Sequence, residues 1–342
     1  MKKRIFNFIK VFCSLTVCLF TLNGCSCGGA ESIPFNENFI KGYNLSVPSN
    51  YFEELTYTVN YRSDMNDYIV SDKLNKNDFT FGVGTYKTEL KLLYEMPEET
   101  LKDNELLKTL SNTDKIYSYK TTFNMPVTYF DGNTYNDFIE TIVYFCPKNL
   151  SFAPIYSSTK ASYSTFSCVG EQKSVNLVSY ESIVVYHKSV YSKTLELAGE
   201  TSKTITNKYD FKCLIDNTQL LFALRNFEVL ENEPKGFNVV SASYNEPTLL
   251  GIYNNGTFTE KFNGTFNGNL LSEDVKVNKI SYRVNDTKNA GKEQLLFIQN
   301  ASMGSLPNNA YIVKYVQPLI AYESFEVMGS LEFTLTSIAQ AN

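Results

Sequence analysis

Histidine is the side chain most often used to move protons near neutral pH, and the 342-residue chain holds one, His187. It falls in the run Val184-Val185-Tyr186-His187-Lys188, on the strand face opposite Tyr186. No acid–base partner is evident beside it, and neither a GxSxG elbow nor an HExxH motif occurs. His187 therefore reads as a strand histidine. Paired carboxylates are the other route to hydrolysis, as in glycosidases. Adjacency alone offers Glu53-Glu54, Asp64 with Asp67, Glu98-Glu99 and Glu273-Asp274. Neighbouring residues of a strand point to opposite faces, so Glu53 and Glu54 do not converge. Glu98-Glu99 suit the start of a helix. Asp64-Met65-Asn66-Asp67 resembles a fragment of a calcium loop without its Gly and closing Glu, and reads as a hairpin turn. Gly82-Val83-Gly84 lacks the third Gly of a phosphate loop. Its flanks are strand-like, so a kink or bulge is expected there. No catalytic residue, metal or cofactor is assigned, and the chain is not read as an enzyme.

Cysteine adds little chemistry. Cys27, Cys146, Cys168 and Cys213 are widely and irregularly spaced with no CxxC, which argues against zinc. A Cys146–Cys168 bridge is open to an oxidising compartment, with buried thiols as the default. The 24 Tyr and 25 Phe stand beside no Trp. That weakens the case for sugar-stacking platforms and favours strands. A genome rich in A and T would account for part of the Tyr excess.

The elements that position these residues have a period of two. Tyr57, Val59 and Tyr61 alternate with polar neighbours, as do Tyr117, Tyr119, Thr121 and Phe123. A β-type run extends from Val175 through Ile183 to Leu197, another carries Tyr209, Phe211, Cys213 and Ile215, and a last one carries Leu331, Phe333 and Leu335. Such alternation buries one face of an antiparallel sheet. Asp131-Gly132-Asn133 reads as a hairpin tip. Asn254-Asn255-Gly256 and Phe262-Asn263-Gly264 read as two successive turns around a short strand. Two segments depart toward helix, at about 97–111 and 216–231. The second has Asp216 as its N-cap and Leu220, Leu221, Leu224 and Phe227 along one face. The fold class expected is mainly β: a long antiparallel meander, half-barrel or sandwich, with one or two short helices.

The first residues carry a resemblance. Lys2, Lys3 and Arg4 precede an apolar run from Ile5 to Leu22, which ends in Leu22-Asn23-Gly24-Cys25. This resembles a bacterial lipoprotein signal peptide with its lipobox. The resemblance implies removal of residues 1–24, a lipid on Cys25 and an extracytoplasmic domain held to a membrane. An uncleaved anchor would be short for a span and would carry Lys10. An ordinary secretory signal would use the small residues Ser26 to Ala30. Residues 25–44, punctuated by Gly, Ser, Asn and Pro, are expected to form a flexible tether. Residues 45–342 form the domain, with two halves joined near Gly170 as the alternative.

Removing Lys2, Lys3, Arg4 and Lys10 from the 31 basic residues leaves 27 against 36 acidic ones. An acidic surface argues against nucleic acid and against an electrostatic grip on anionic headgroups. Residues 205–338 also resemble lipoprotein-carrier-like envelope proteins, in which a curved half-barrel wraps a helix and often holds acyl chains. The function expected is a non-enzymatic envelope lipoprotein that binds an apolar or acyl-bearing ligand or serves a structural role. The alternatives are a carboxylate-dependent hydrolase of wall glycan and a surface adhesion or carbohydrate-binding module. Two carboxylates facing each other in a cleft would favour the hydrolase.

Overall fold

In a computed structural model, the residues described are 52–62, 78–93, 116–145, 154–169, 172–187, 190–197, 202–208, 214–225, 235–240, 248–284, 293–300, 306, 309–320 and 327–341. Within them the two-residue period becomes a single 16-stranded sheet. In chain order the strands are β1 (Phe52–Arg62), β2 (Phe79–Phe81), β3 (Gly84–Leu93), β4 (Ile116–Tyr129), β5 (Thr134–Phe145), β6 (Pro154–Val169), β7 (Gln172–His187), β8 (Val190–Leu197), β9 (Lys203–Lys208) and β10 (Leu214–Asp216). A 3-10 turn (Asn217–Gln219) leads into the short helix α1 (Leu220–Arg225). There follow β11 (Lys235–Val240), β12 (Thr248–Phe266), β13 (Asn269–Val284), β14 (Gln294–Gln299), β15 (Ile312–Ile320) and β16 (Val327–Ala341).

The hydrogen-bonded path runs from β10 through β11 to β16, then to β1, β3 and on to β9, with β2 paired to β4. Sequence neighbours are mostly sheet neighbours, which is the expected meander. The first strand lies mid-sheet, between β16 and β3. Every ladder is antiparallel except β10–β11 and a short contact between β12 and β16. That contact, Thr265 with Ser337 and Phe266 with Ile338, closes β12 to β16 into a ring. Gly264 permits it, because a Cβ there would overlap the Thr336 carbonyl.

One face of the long sheet is the core. Val59, Phe123, Phe333 and Leu335 are buried on it, and its rings touch in sequence. Tyr57 meets Tyr86 at 5.6 Å, Tyr86 meets Phe333 at 5.5 Å, and Phe333 meets Tyr315 at 4.8 Å between centroids. Tyr and Phe suit this position because each fills a large share of a broad curved face.

Several local expectations hold. Asp131-Gly132-Asn133 is the β4–β5 tip, with Gly132 at φ +79° and Asp131 accepting from the Asn133 amide. Gly82 and Val83 break β2 from β3 while both strands follow β4. Others are corrected. Asn254-Asn255-Gly256 is not a turn but a bulge inside the 19-residue β12, where the register shifts and Gly256 takes φ +92°. Gly264 is likewise within β12, and the chain reverses at Asn267-Gly268, both at positive φ. That pair is the Asn-Gly combination favoured in tight hairpins. The β-type run from Val175 to Leu197 is a hairpin of β7 and β8. Over the described residues the second helix is a 3-10 turn plus six helical residues, and Leu221 is half-buried where Phe222 is buried. Residues 226–231 and the whole of the expected 97–111 helix lie outside the described residues, as do Tyr209, Phe211 and Cys213.

Candidate functional site

Helix α1 lies against the concave face of the sheet. Asp216 starts it: its Oδ1 accepts the Thr218 amide at 2.7 Å, and its Oδ2 accepts the Ser157 hydroxyl at 2.6 Å and the Tyr186 hydroxyl at 2.5 Å. One carboxylate thus caps the turn and pins it to β6 and β7. Leu220, Phe222, Ala223 and Leu224 are buried, with the Phe222 ring 5.6 Å from Tyr119 and 5.4 Å from Phe145. Burying Leu220, Phe222 and Leu224 contributes ~1.5–3 kcal/mol each.

Arg225 fixes the other end. Its guanidinium makes a two-pronged pair with Glu53, Nη1 to Oε1 at 2.5 Å and Nη2 to Oε2 at 2.9 Å. It also donates to the backbone carbonyls of Asn309 and Ala310 and stacks over Tyr311 at 5.5 Å. Both charged side chains are 1% exposed. An arginine suits this place because its planar fork satisfies a carboxylate and two carbonyls at once. Burial pushes the hydroxyls around the helix upward: Tyr57 and Tyr86 stand well above the ordinary phenol value, and Tyr119 reaches about 12.

A second buried carboxylate, Asp137, lies near the β4–β5 tip. The β5–β6 ladder ends at Phe138 and Ser162, and beyond it Asp137 Oδ1 takes both the amide and the hydroxyl of Ser164 at 2.7 Å each. Tyr129 donates to the Ser164 hydroxyl at 2.9 Å. Asp137 is therefore a ladder terminator, standing in for a missing strand carbonyl. Burial raises its carboxyl to about 6 despite these hydrogen bonds.

The opposite face of β1 to β8 carries a ladder of charges. Lys87 pairs with Glu54 at 2.8 Å, Lys91 with Glu89 at 2.9 Å, Lys120 with Glu140 at 2.7 Å and Lys160 with Glu181 at 3.4 Å. Its last step is different, since Glu181 stands directly opposite Glu196. That step lies in an open trough of about 700 Å³ whose lining includes Phe138, Lys160, Ser162, Ser179, Glu181 and Glu196.

The expected site residues distribute as follows. Cys25, the lipid site, lies outside the described residues, as do Asp64, Asp67, Glu98, Glu99, Cys27 and Cys146. His187 ends β7 opposite Val190, and Cys168 sits on β6 opposite Lys173. Glu53 and Glu54 do diverge: Glu53 is buried against Arg225 and Glu54 pairs with Lys87 on the other face. Glu273 is half-buried and Asp274 exposed, so that pair diverges too. Glu53 and Asp137 went unrecognised as buried groups, although alternation puts Glu53 in phase with Leu55 and Tyr57, and Asp137 in phase with Ile139. Arg225 had no such signal, because its partners come from distant strands. Glu181 and Glu196 meet only through the register of β7 on β8.

No protein-family model matches this chain, and no curated protein matches it either. Among solved structures it is similar to a β-barrel-like protein of the domain of unknown function DUF1849 from Brucella abortus. The identity is 8%, over 86% of this chain and 98% of that one, with a TM-score of 0.43. Among the described residues, no helix is long and apolar enough to cross a membrane.

Proposed function

We propose that this chain is a lipid-anchored, extracytoplasmic envelope protein, non-enzymatic, that binds an apolar or acyl-bearing ligand through the aromatic sheet face that also lodges helix α1, or that serves a structural envelope role. The observation that carries this reading is the lodging of α1. An apolar helical stretch, Leu220 to Leu224, rests on an aromatic face, and polar contacts of Asp216 and Arg225 pin it on either side. A surface that accepts leucine and phenylalanine side chains accepts alkyl chains for the same reason. The buried tyrosine hydroxyls around it supply points where a ligand's polar end is oriented.

The test is solvent extraction of the protein purified from its native membrane, followed by mass spectrometry of what is released. A lipid attached to Cys25 stays with the protein, so released acyl species report non-covalent cargo. Cargo near one per chain, displaced by a fluorescent fatty acid, supports the carrier reading. No cargo and no probe binding would leave the structural role instead.

One observation favours a second reading. Glu181 and Glu196 are cross-strand partners inside the trough, and retaining glycosidases use two carboxyl groups set close together. Against it, Glu181 is paired with Lys160 and both are open to water, whereas a glycosidase acid is kept in a drier pocket. Release of reducing ends from purified wall glycan, lost in both Glu181→Gln and Glu196→Gln, would establish the hydrolase.

A further inference from the structure

The sheet has two ends. At one lie Phe52, Lys91, Ser118, Tyr144 and Tyr156, in register across β1 and β3 to β6. At the other lie the β4–β5 tip and the start of β7. The chain from Cys25 enters β1 at the first end, through Phe52, which pairs with Ala341 of β16. The β12–β13 tip is brought to that same end. The Asn267 amide donates to the Ile338 carbonyl at 2.8 Å, and the Gln340 amide donates to Asn267 Oδ1 at 2.7 Å. Because β12 runs parallel to β16 here, its tip projects along the end of β16.

That tip is unlike the rest of the acidic surface. From Phe262 to Ser272 the sequence has no charged residue. It carries Leu270, at 89% the most exposed large apolar side chain among the described residues, beside the partly buried Phe266 and Leu271. At 89% exposure Leu270 contributes little by burial within the described residues, and no charged side chain from Phe262 to Ser272 repels a headgroup layer.

We propose that the β12–β13 tip is the membrane-facing point of the protein, with Leu270 seated in the interfacial zone of the bilayer that holds the lipid on Cys25. The inference rests on the lipid-anchor reading above. Chain length supports the choice of end. A flexible coil of 20 residues, the expectation for the tether at 25–44, has a root-mean-square span of about 25 Å. The 16 residues of β6 stretch about 50 Å from one end of the sheet to the other. That expectation puts the anchor on average closer to Phe52 and Leu270 than to Val83, Phe130 and Leu177, exposed apolar residues toward the other end.

The chain has no tryptophan, so Leu270→Trp gives a single reporter at the tip and Leu177→Trp one at the far end. Each full-length lipidated protein is reconstituted into phosphatidylcholine vesicles with brominated acyl chains. The expected result is flotation of both, with emission from Leu270→Trp shifted to the blue. Quenching should be about twofold for this variant, as for a side chain some 5–10 Å into the boundary. Leu177→Trp should behave as in water. Flotation without quenching at 270, or quenching at 177 that equals or exceeds it, overturns the orientation while leaving the anchor intact. Failure of the lipidated chains to float, or flotation of Leu270→Trp carrying Cys25→Ala as well, overturns the anchor reading and this one with it.

Discussion

Glu53 and Arg225 show how much a single pair can decide. Taking two charges out of water is costly, and their mutual attraction recovers the cost only with full hydrogen bonding, which the Asn309 and Ala310 carbonyls complete. Arg225→Leu leaves Glu53 and the Asn309 and Ala310 carbonyls buried without their partner, and should cost about 3–5 kcal/mol of folding free energy by denaturant titration. The paired change Glu53→Leu with Arg225→Leu should recover much of that loss. A double mutant as weak as the single one would show that the pair acts by packing rather than by charge.

Asp137 gives a pH-dependent counterpart. Its folded carboxyl titrates near 6, against ~3.9 in an unfolded chain. A raised acid binds its proton more tightly in the folded state, so the folded state is favoured while the group is protonated. Stability should fall as pH rises from about 4 to 6, by about 2–3 kcal/mol from this group. Asp137→Asn keeps an oxygen for Ser164 and removes the titration. Thermal melts of the two proteins across pH 4–7 should diverge in slope over that window, with the mutant the flatter. Parallel curves would mean that Asp137 ionises as freely as in the unfolded chain.

At the scale of elements, β16 is the most telling strand. Phe333 is fully buried among Tyr86, Phe123 and Tyr315, so Phe333→Asp places an unpaired charge in the core and should prevent folding or lower the melting temperature severely. Thr334 is half-buried on the other face, and its cross-strand partner is Lys314. Thr334→Asp should cost under about 1 kcal/mol, since the new carboxylate faces a lysine. Equal melting temperatures for the two variants would contradict the sheet's facing.

Elements of this kind were largely legible beforehand. The alternation of Leu331, Phe333 and Leu335, or of Tyr117, Tyr119 and Phe123, fixes which face is buried without any knowledge of neighbours. The Asp131-Gly132 tip and the Asp216 cap are likewise local chemistry. What local chemistry does not carry is register. Asn-Gly pairs look alike whether they turn the chain, as at Asn267-Gly268, or bulge it, as at Asn255-Gly256, and only the pairing of β12 with β13 and β16 tells them apart. The same holds for the site. Glu53 was readable as an inward position, but its meeting with Arg225 depends on how a sheet of 16 strands bends around six helical residues.

The whole molecule is a broad sheet closed at one side into a ring and curled elsewhere around α1. The half-barrel expected from residues 205–338 leaves out much of what surrounds α1, because much of the embrace comes from β1, β4, β5, β6 and β7 in the other half of the chain. The sheet's path ends at β9, where the exposed Lys203 discourages further strands from adding to the edge. A fold so organised has its ends defined by strand direction, and the entry of the chain at Phe52 gives one of those ends a relation to whatever Cys25 is attached to. Fractionation of cells producing the wild-type chain and Cys25→Ala bears most directly on that attachment. The wild type should remain with membranes through a high-salt wash while Cys25→Ala appears in the soluble extracytoplasmic fraction. A Cys25→Ala protein that stays membrane-bound through the same wash would contradict the lipid anchor.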